Sequence, residues 1–264
     1  MTPSRFAGRT ALVAGAASGI GRAAAAELAS EGARVWCADL DADGAAATVR
    51  AIAAQGGTAS ALALDVADES AWMRAFEIIA EAGVPIDVVV NSAGASSAAP
   101  IVEVALDEWR RVFRVNVEGA FLGTKHAVRV MTAAARPGCI VNVASAAGVR
   151  VAGGAAAYSA SKAAVIALCQ AVAKECVTAG NGIRVNAICP GAVKTPLWRG
   201  MPFFDDAVRR TGSEEAAFEA LGASSPGGRF SEPVEVARAI AYLASDDARF
   251  VTGIAFLLDG GYAL

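Results

Sequence analysis

Seven short apolar runs alternate with longer helical stretches along nearly the whole chain, and that alternation limits the fold more than any other feature. The runs are Thr10–Ala14, Arg34–Asp39, Ala59–Asp65, Val88–Asn91, Gly138–Ser145, Ile183–Cys189 and Ile254–Leu258. Helical patterns lie between them near 20–31, 41–55, 68–82, 107–135, 156–179 and 232–244. Most of the runs are continuously apolar, as strands are when helices cover both faces of a sheet. The pattern predicts one α/β domain over 1–264, a doubly wound, seven-stranded parallel sheet with helices on both faces. Right-handed crossovers leave few alternative topologies. A hydrophobic content of 55% against 19% charged residues is ample for such a core.

One segment breaks the rhythm. Residues 196–230 carry Pro, Gly and charge, with Trp198, Met201, Phe203 and Phe204 near the start. Ordinary connections are shorter, and this one follows a strand's C-terminal end, so it reads as a substrate loop or lid whose aromatic cluster, with the small-residue loop 146–157, suggests an apolar substrate pocket. The plainer alternative is a surface excursion whose aromatic residues pack on the core.

Composition excludes several classes. The net charge is −3, and the densest basic spot, Arg209-Arg210, is soon followed by Glu214-Glu215. Neither a nucleic acid nor an anionic membrane surface is an expected partner. The apolar run 163–173 is too short to span a bilayer. Arg5 and Arg9 before an apolar run superficially resemble a secretion signal, but the run is short and leads into a glycine pattern. Five dispersed cysteines without a C-x-x-C pair read as buried free thiols in a reducing, cytoplasmic setting. The single histidine, His126, rules against a Ser-His-Asp triad or a multi-histidine metal site, and surface or interface packing is its expected role. No metal is expected.

The glycine pattern is Gly15-Ala-Ala-Ser18-Gly19-Ile20-Gly21, placed after the first strand and opening a helix. Glycines let the backbone approach a pyrophosphate, and a helix N-terminus offers it unpaired N–H groups. Asp39 closes the next strand, eighteen residues past Gly21. A carboxylate there can accept both adenosine ribose hydroxyls and repel a 2′-phosphate, which favours NAD over NADP. Asp41 better suits the role of helix N-cap.

Tyr158 and Lys162 are four apart in a helical stretch, so they share a face. An ammonium beside a phenol favours phenolate and lowers the Tyr pKa from about 10. Bringing it near neutrality takes roughly 4 kcal/mol of differential interaction, hence a second positive charge. Ser145 stands thirteen residues before Tyr158 without a G-x-S-x-G elbow or a general-base histidine, so it suits a hydrogen-bond donor to a carbonyl better than a nucleophile.

Together with Asn91-Ser-Ala93-Gly94, these motifs resemble the short-chain dehydrogenase/reductase family from Gly15 to Gly261. The resemblance implies a Rossmann-type sheet, with Tyr158 as acid/base and Lys162 holding the nicotinamide ribose and lowering the Tyr pKa. Ser145 would bind the substrate oxygen, and Asn116 would support a water-linked proton relay. Asp65-Val66 would read adenine through a carboxylate and a backbone N–H. Asn91, Ala93 and Gly94 would pack beside the adenosine ribose and steady the sheet, and Pro190, Gly191, Val193 and Thr195 would hold the carboxamide. Asp259-Gly-Gly261 matches a C-terminal signature commonly near a subunit contact, and a homotetramer is implied. Two positions depart from the family pattern, Ala14 for the usual Thr and Ser92 for a second Asn. The expected activity is NAD-dependent interconversion of a secondary alcohol and a ketone, on an apolar cyclic, aromatic or steroid-like substrate. The alternatives are a 3-oxoacyl thioester reductase and a non-catalytic nucleotide sensor or assembly protein.

Overall fold

The computed structural model describes residues 4–151 and 153–264. Seven strands form one sheet: β1 (Thr10–Ala14), β2 (Arg34–Asp39), β3 (Thr58–Ala63), β4 (Val88–Asn91), β5 (Gly138–Val143), β6 (Ile183–Pro190) and β7 (Ala255–Leu258). Their spatial order is β3-β2-β1-β4-β5-β6-β7, and every pairing is parallel. The chain winds outward from β1 in one direction and then from β4 in the other. The ends of β1 and β4 therefore diverge at a switch point, where open parallel sheets bind ligands.

Helices α1 (Gly19–Ser30), α2 (Ala42–Ala54), α3 (Glu69–Glu81), α4 (Leu106–Phe113), α5 (Gly119–Ala133), α6 (Ala156–Ala179) and α9 (Pro233–Ala244) cover the two faces. One buried cluster lies on each side of the sheet. Leu12, Trp72, Met131 and Ile140 belong to one, and Val13, Leu28, Val141 and Ile240 to the other. Consecutive strand residues thus serve opposite layers, which is why 11–14 of β1 and 88–90 of β4 are continuously apolar. Helix α6 has 24 residues and a mean hydropathy of 1.3 in its most apolar window, long and apolar enough to cross a membrane by composition alone. In this fold it packs against β6 and buries Val165, Cys169 and Ala173.

Three expectations need correction. The helix expected over 107–135 is interrupted by a π-turn at Arg114–Glu118, an extra residue that an averaged 3.6-residue period does not reveal. The irregular stretch 196–230 contains two helices, α7 (Pro202–Thr211) and α8 (Glu214–Gly222). Their boundary signals are ordinary ones: Pro202 at the start of α7, Gly212 at φ 85° closing it, and Ser213 capping α8 through Ala216 N. His126 is 4% exposed, with Nε2 3.1 Å from Glu69 Oε1 and its ring stacked near Phe76, so it is a core residue of α5.

Candidate active site

Three glycines shape the turn after β1. Gly15 has φ 85°, and a Cβ there would lie 2.5 Å from Ala93 N. A Cβ on Gly21 would lie 2.0 Å from Gly15 O, and Gly19 has φ 52°. Any side chain at 15 or 21 would push the turn off the 91–94 segment or off α1. Ser18 caps α1 in extended conformation without a side-chain bond, and the first backbone N–H to find a helical carbonyl is that of Arg22. The N–H groups of Gly19, Ile20 and Gly21 therefore face outward with no helical partner, a ready anion site. Asp39 Oδ2 accepts from Ala17 N at 2.8 Å and Oδ1 from Asp41 N at 3.0 Å, which moors the turn to the end of β2. Asp41 is the cap of α2, accepting from Gly44 N.

Beyond the turn is a narrow cleft lined by Ala14, Val66, Asn91, Ala93, Asn116 and Gly119, among others. Asn91 Nδ2 donates to Asn142 Oδ1 at 2.8 Å, joining β4 to β5, while Asn91 Oδ1 is buried without a partner among the described residues. Opposite, Gly191 packs on Asp259, and Thr195 places its γ-methyl 3.1 Å from where a Cβ on Gly19 would be. The segment from Pro190 through Val193 to Thr195 thus meets the glycine turn across the switch point. Asp259 itself accepts from Gly261 N and Ala263 N, the work of a turn former. The cradle, the outward N–H groups and the carboxylate at the end of β2 could hold a dinucleotide, its phosphates against Ser18–Gly21 and a ribose against Asp39, with Asp65-Val66 within the same cleft region for adenine.

The catalytic candidates converge beside this cradle. Ser145 caps a short 3-10 turn, Ala146–Gly148, that lies directly on α6: a Cβ on Gly148 would be 2.7 Å from the Lys162 carbonyl carbon. Ser145 Oγ accepts from Ala147 N at 3.1 Å and donates to Pro190 O at 3.5 Å, and it is near enough to the Tyr158 phenol to pull its pKa down. Lys162 is 4% exposed, and its Nζ donates to Val143 O at 2.8 Å. The same Nζ lies 5.7 Å from the Tyr158 ring centroid. Across Gly94 it neighbours Asn116 Oδ1, since a Cβ on Gly94 would lie 3.6 Å from both atoms. Asn116 is held by Ala95 N at 2.7 Å, Ala95 O at 2.9 Å and Ser161 Oγ at 2.9 Å. The π-turn is what lets that side chain reach inward to both the 94–95 segment and α6.

The electrostatics correct one expectation. Burial pushes the Tyr158 phenol above its usual value, while the Ser145 hydrogen bond pulls it back. In the free protein Lys162 does not offset that burial: its Nζ lies 5.7 Å from the ring centroid and donates to Val143 O. Burial instead lowers Lys162 to about 8. The four residues meet as expected, but in the free protein the phenol is neutral.

A second correction concerns the aromatic cluster expected to line a substrate pocket. Met201 and Phe204 are buried with Phe218 and Phe230 in a satellite core of their own, and Trp198 donates its indole N–H to Val193 O at 2.7 Å. Phe203 is exposed. Trp198, Ala98, Ala192, Val208 and Leu221, at the edge of this core, remain partly open. The sequence reading passed over Gly148, Ser161 and the Val143 carbonyl. Ser161 carried a signal, one turn from Tyr158 in Tyr-Ser-Ala-Ser-Lys, whereas a backbone carbonyl carries none.

A family model described as Enoyl-(Acyl carrier protein) reductase matches residues 15–263. The cis-4-hydroxycyclohexanecarboxylate dehydrogenase of Sinomonas cyclohexanicum is 42% identical over 259 residues, 97% of each chain. The cyclopentanol dehydrogenase of Comamonas sp. (strain NCIMB 9872) is 37% identical over 254 residues, 96% of each. A crystal structure of a short-chain type dehydrogenase/reductase from Mycobacterium marinum superposes with a TM-score of 0.86 at 31% identity, covering 98% of this chain and 97% of that one.

Proposed function

The chain belongs to the short-chain dehydrogenase/reductase family, and from that premise we propose that it interconverts a secondary alcohol and a ketone with NAD as cofactor. The observation that carries the reading is the convergence of Ser145, Tyr158, Lys162 and Asn116 on the mouth of a glycine cradle. When bound, the nicotinamide supplies the hydride acceptor or donor. The chain's residues do the rest. Ser145 donates a hydrogen bond to the substrate oxygen and holds it against Tyr158. In oxidation Tyr158 takes the hydroxyl proton; in reduction it returns one. Lys162 supplies a fixed positive charge near the ring, and with the further positive charge that an oxidised nicotinamide would add, Tyr158 would come down from its raised value. Asn116 braces the 94–95 segment against α6, and we assign it the support of a water-linked proton path.

Asp39 supports NAD, because its carboxylate stands where a 2′-phosphate would be repelled and no Lys or Arg follows it. A ring-bearing alcohol is the proposed substrate, supported by the cyclohexane and cyclopentane compounds named for the two relatives and by the small residues around the mouth. A 3-oxoacyl thioester reductase is the second reading, favoured by the matched family's acyl-carrier description and opposed by Asp39 and the acidic balance. The 196–230 segment is proposed as the substrate lid. Exposed Ile101, Val102, Leu106 and Phe121 support self-association, proposed as a homotetramer, and five free buried thiols support a cytoplasmic setting.

Turnover at 340 nm across a panel of cyclic alcohols, with NAD and NADP compared by kcat/KM, tests the assignment. A preference for NADP above tenfold would overturn the reading of Asp39. Tyr158→Phe is expected to lower kcat about 10³-fold, and turnover within a few-fold of wild type would remove Tyr158 from the mechanism.

A further inference from the structure

Beside the cleft stands an ion pair that the proposed chemistry leaves unused. Asp65 follows β3, with Oδ1 bound to Ala67 N at 2.9 Å, while Oδ2 lies 3.8 Å from Arg114 Nη2. Its neighbour Val66 is pinned from two sides. The Val66 carbonyl accepts the Trp72 indole N–H at 2.9 Å, and its side chain lies against α5, where a Cβ on Gly119 would be 2.9 Å from Val66 Cγ2. The Val66 backbone is therefore fixed, and the polar group that faces the second oxygen of Asp65 among the described residues is the Arg114 guanidinium. Arg114 opens the π-turn. The extra residue that seats Asn116 on Ala95 also carries this guanidinium over Asp65.

Building on the dinucleotide reading, we propose that Arg114 is a positioning residue that holds Asp65 for recognition of the adenine 6-amino group. A carboxylate restrained at one oxygen can still swing the other toward solvent. The guanidinium keeps it over the cleft and leaves its outer lone pair for the base. Both side chains are well exposed, at 62% and 40%, so the pair adds little to folding and can be removed without unfolding the protein.

The test is direct binding, followed by nicotinamide fluorescence, of NADH against reduced nicotinamide hypoxanthine dinucleotide, whose ring carries oxygen in place of the 6-amino group. The wild type is expected to favour NADH by about tenfold, the worth of one hydrogen bond to a charged group. In Arg114→Ala that ratio falls to about twofold or less, while affinity for nicotinamide mononucleotide and the thermal midpoint stay at wild-type values. Asp65→Asn is expected to collapse the ratio equally, with no further loss in the double variant. An undiminished ratio in Arg114→Ala, or additive losses in the double variant, overturns the inference and leaves the dinucleotide reading intact. A wild type that binds no NADH overturns both.

Discussion

Lys162 and Lys194 lie on the two sides of the proposed active site, and their environments displace them in opposite directions. Lys162 is sealed under Tyr158 with only a carbonyl as partner, and burial brings it from 10.5 to about 8. Lys194 stands near the surface between Glu215 at 2.6 Å and Glu232 at 2.8 Å, and hydrogen bonds to those carboxylates raise it. The first lysine belongs to the floor of the site, built on strand ends and two helices of the main core. The second ties the 196–230 segment to the start of α9. The floor holds an unfavourable charge because a rigid sheet leaves it no alternative, a strain of the kind functional sites store. The proposed lid, 196–230, is held by its own small core and by ion pairs that water can replace.

The strongest way to break this contrast is Lys162→Met. Activity should fall about 10²-fold or more, since the variant removes the fixed charge under Tyr158. Stability at pH 7 should rise, because the displacement from 10.5 to about 8 corresponds to about 3 kcal/mol against the charged form. Between those two values the unfolded chain binds more protons than the folded one, so wild-type stability climbs as pH rises from about 8 to 10.5. Thermal melts across that range check the sign. A variant that is less stable than wild type at pH 7, or equally pH-dependent, would mean that Val143 O compensates the buried ammonium.

A smaller effect is expected from Phe204→Ala. Phe204 is 1% exposed and its ring centroid is 4.8 Å from that of Phe218, so truncation costs about 3–5 kcal/mol where it acts. If the satellite core is a separate cooperative unit, the loss opens the lid locally. KM should then rise at least several-fold while kcat and the main melting transition change little. Parallel hydrogen exchange should show amides of α7 and α8 exposed and those of β1 and β4 protected. A main transition lowered by the full amount would show that lid and floor fold as one.

How far each region could be read from the sequence follows the same division. The seven-stranded parallel sheet was legible from the alternation of apolar runs with helical patterns, and the glycine cradle from backbone requirements, such as the left-handed φ at Gly15 and the absent Cβ at Gly21, that few residues satisfy. Ser145, Asn116, Tyr158 and Lys162 were legible as a set. The electrostatic outcome was not, since residue spacing locates Lys162 on the same face as Tyr158 but says nothing about burial or about Val143 O. The π-turn escaped because one added residue leaves an apolar pattern nearly unchanged. The lid helices escaped for another reason: Pro202, Gly212 and Ser213 are caps as well as loop formers, and the aromatics between them pack inward on one another instead of lining an open pocket.

The gentlest test is Lys194→Ala, and it asks whether the lid is latched by charge. Exposed pairs are worth under about 1 kcal/mol and are screened by salt. Two carboxylates converge on one ammonium here, so the effect on KM should be near twofold at low ionic strength and vanish above about 0.5 M salt. Because Lys194 is raised, its contribution is complete below the unfolded value of 10.5 and is lost only as pH passes the higher folded value. The ratio of variant to wild-type KM should therefore stay flat from pH 6 to 9, the range over which Lys162 begins to lose its proton. A KM ratio that changes over that window would place the control of the lid in the floor, through Lys162, and would dissolve the separation between the two regions.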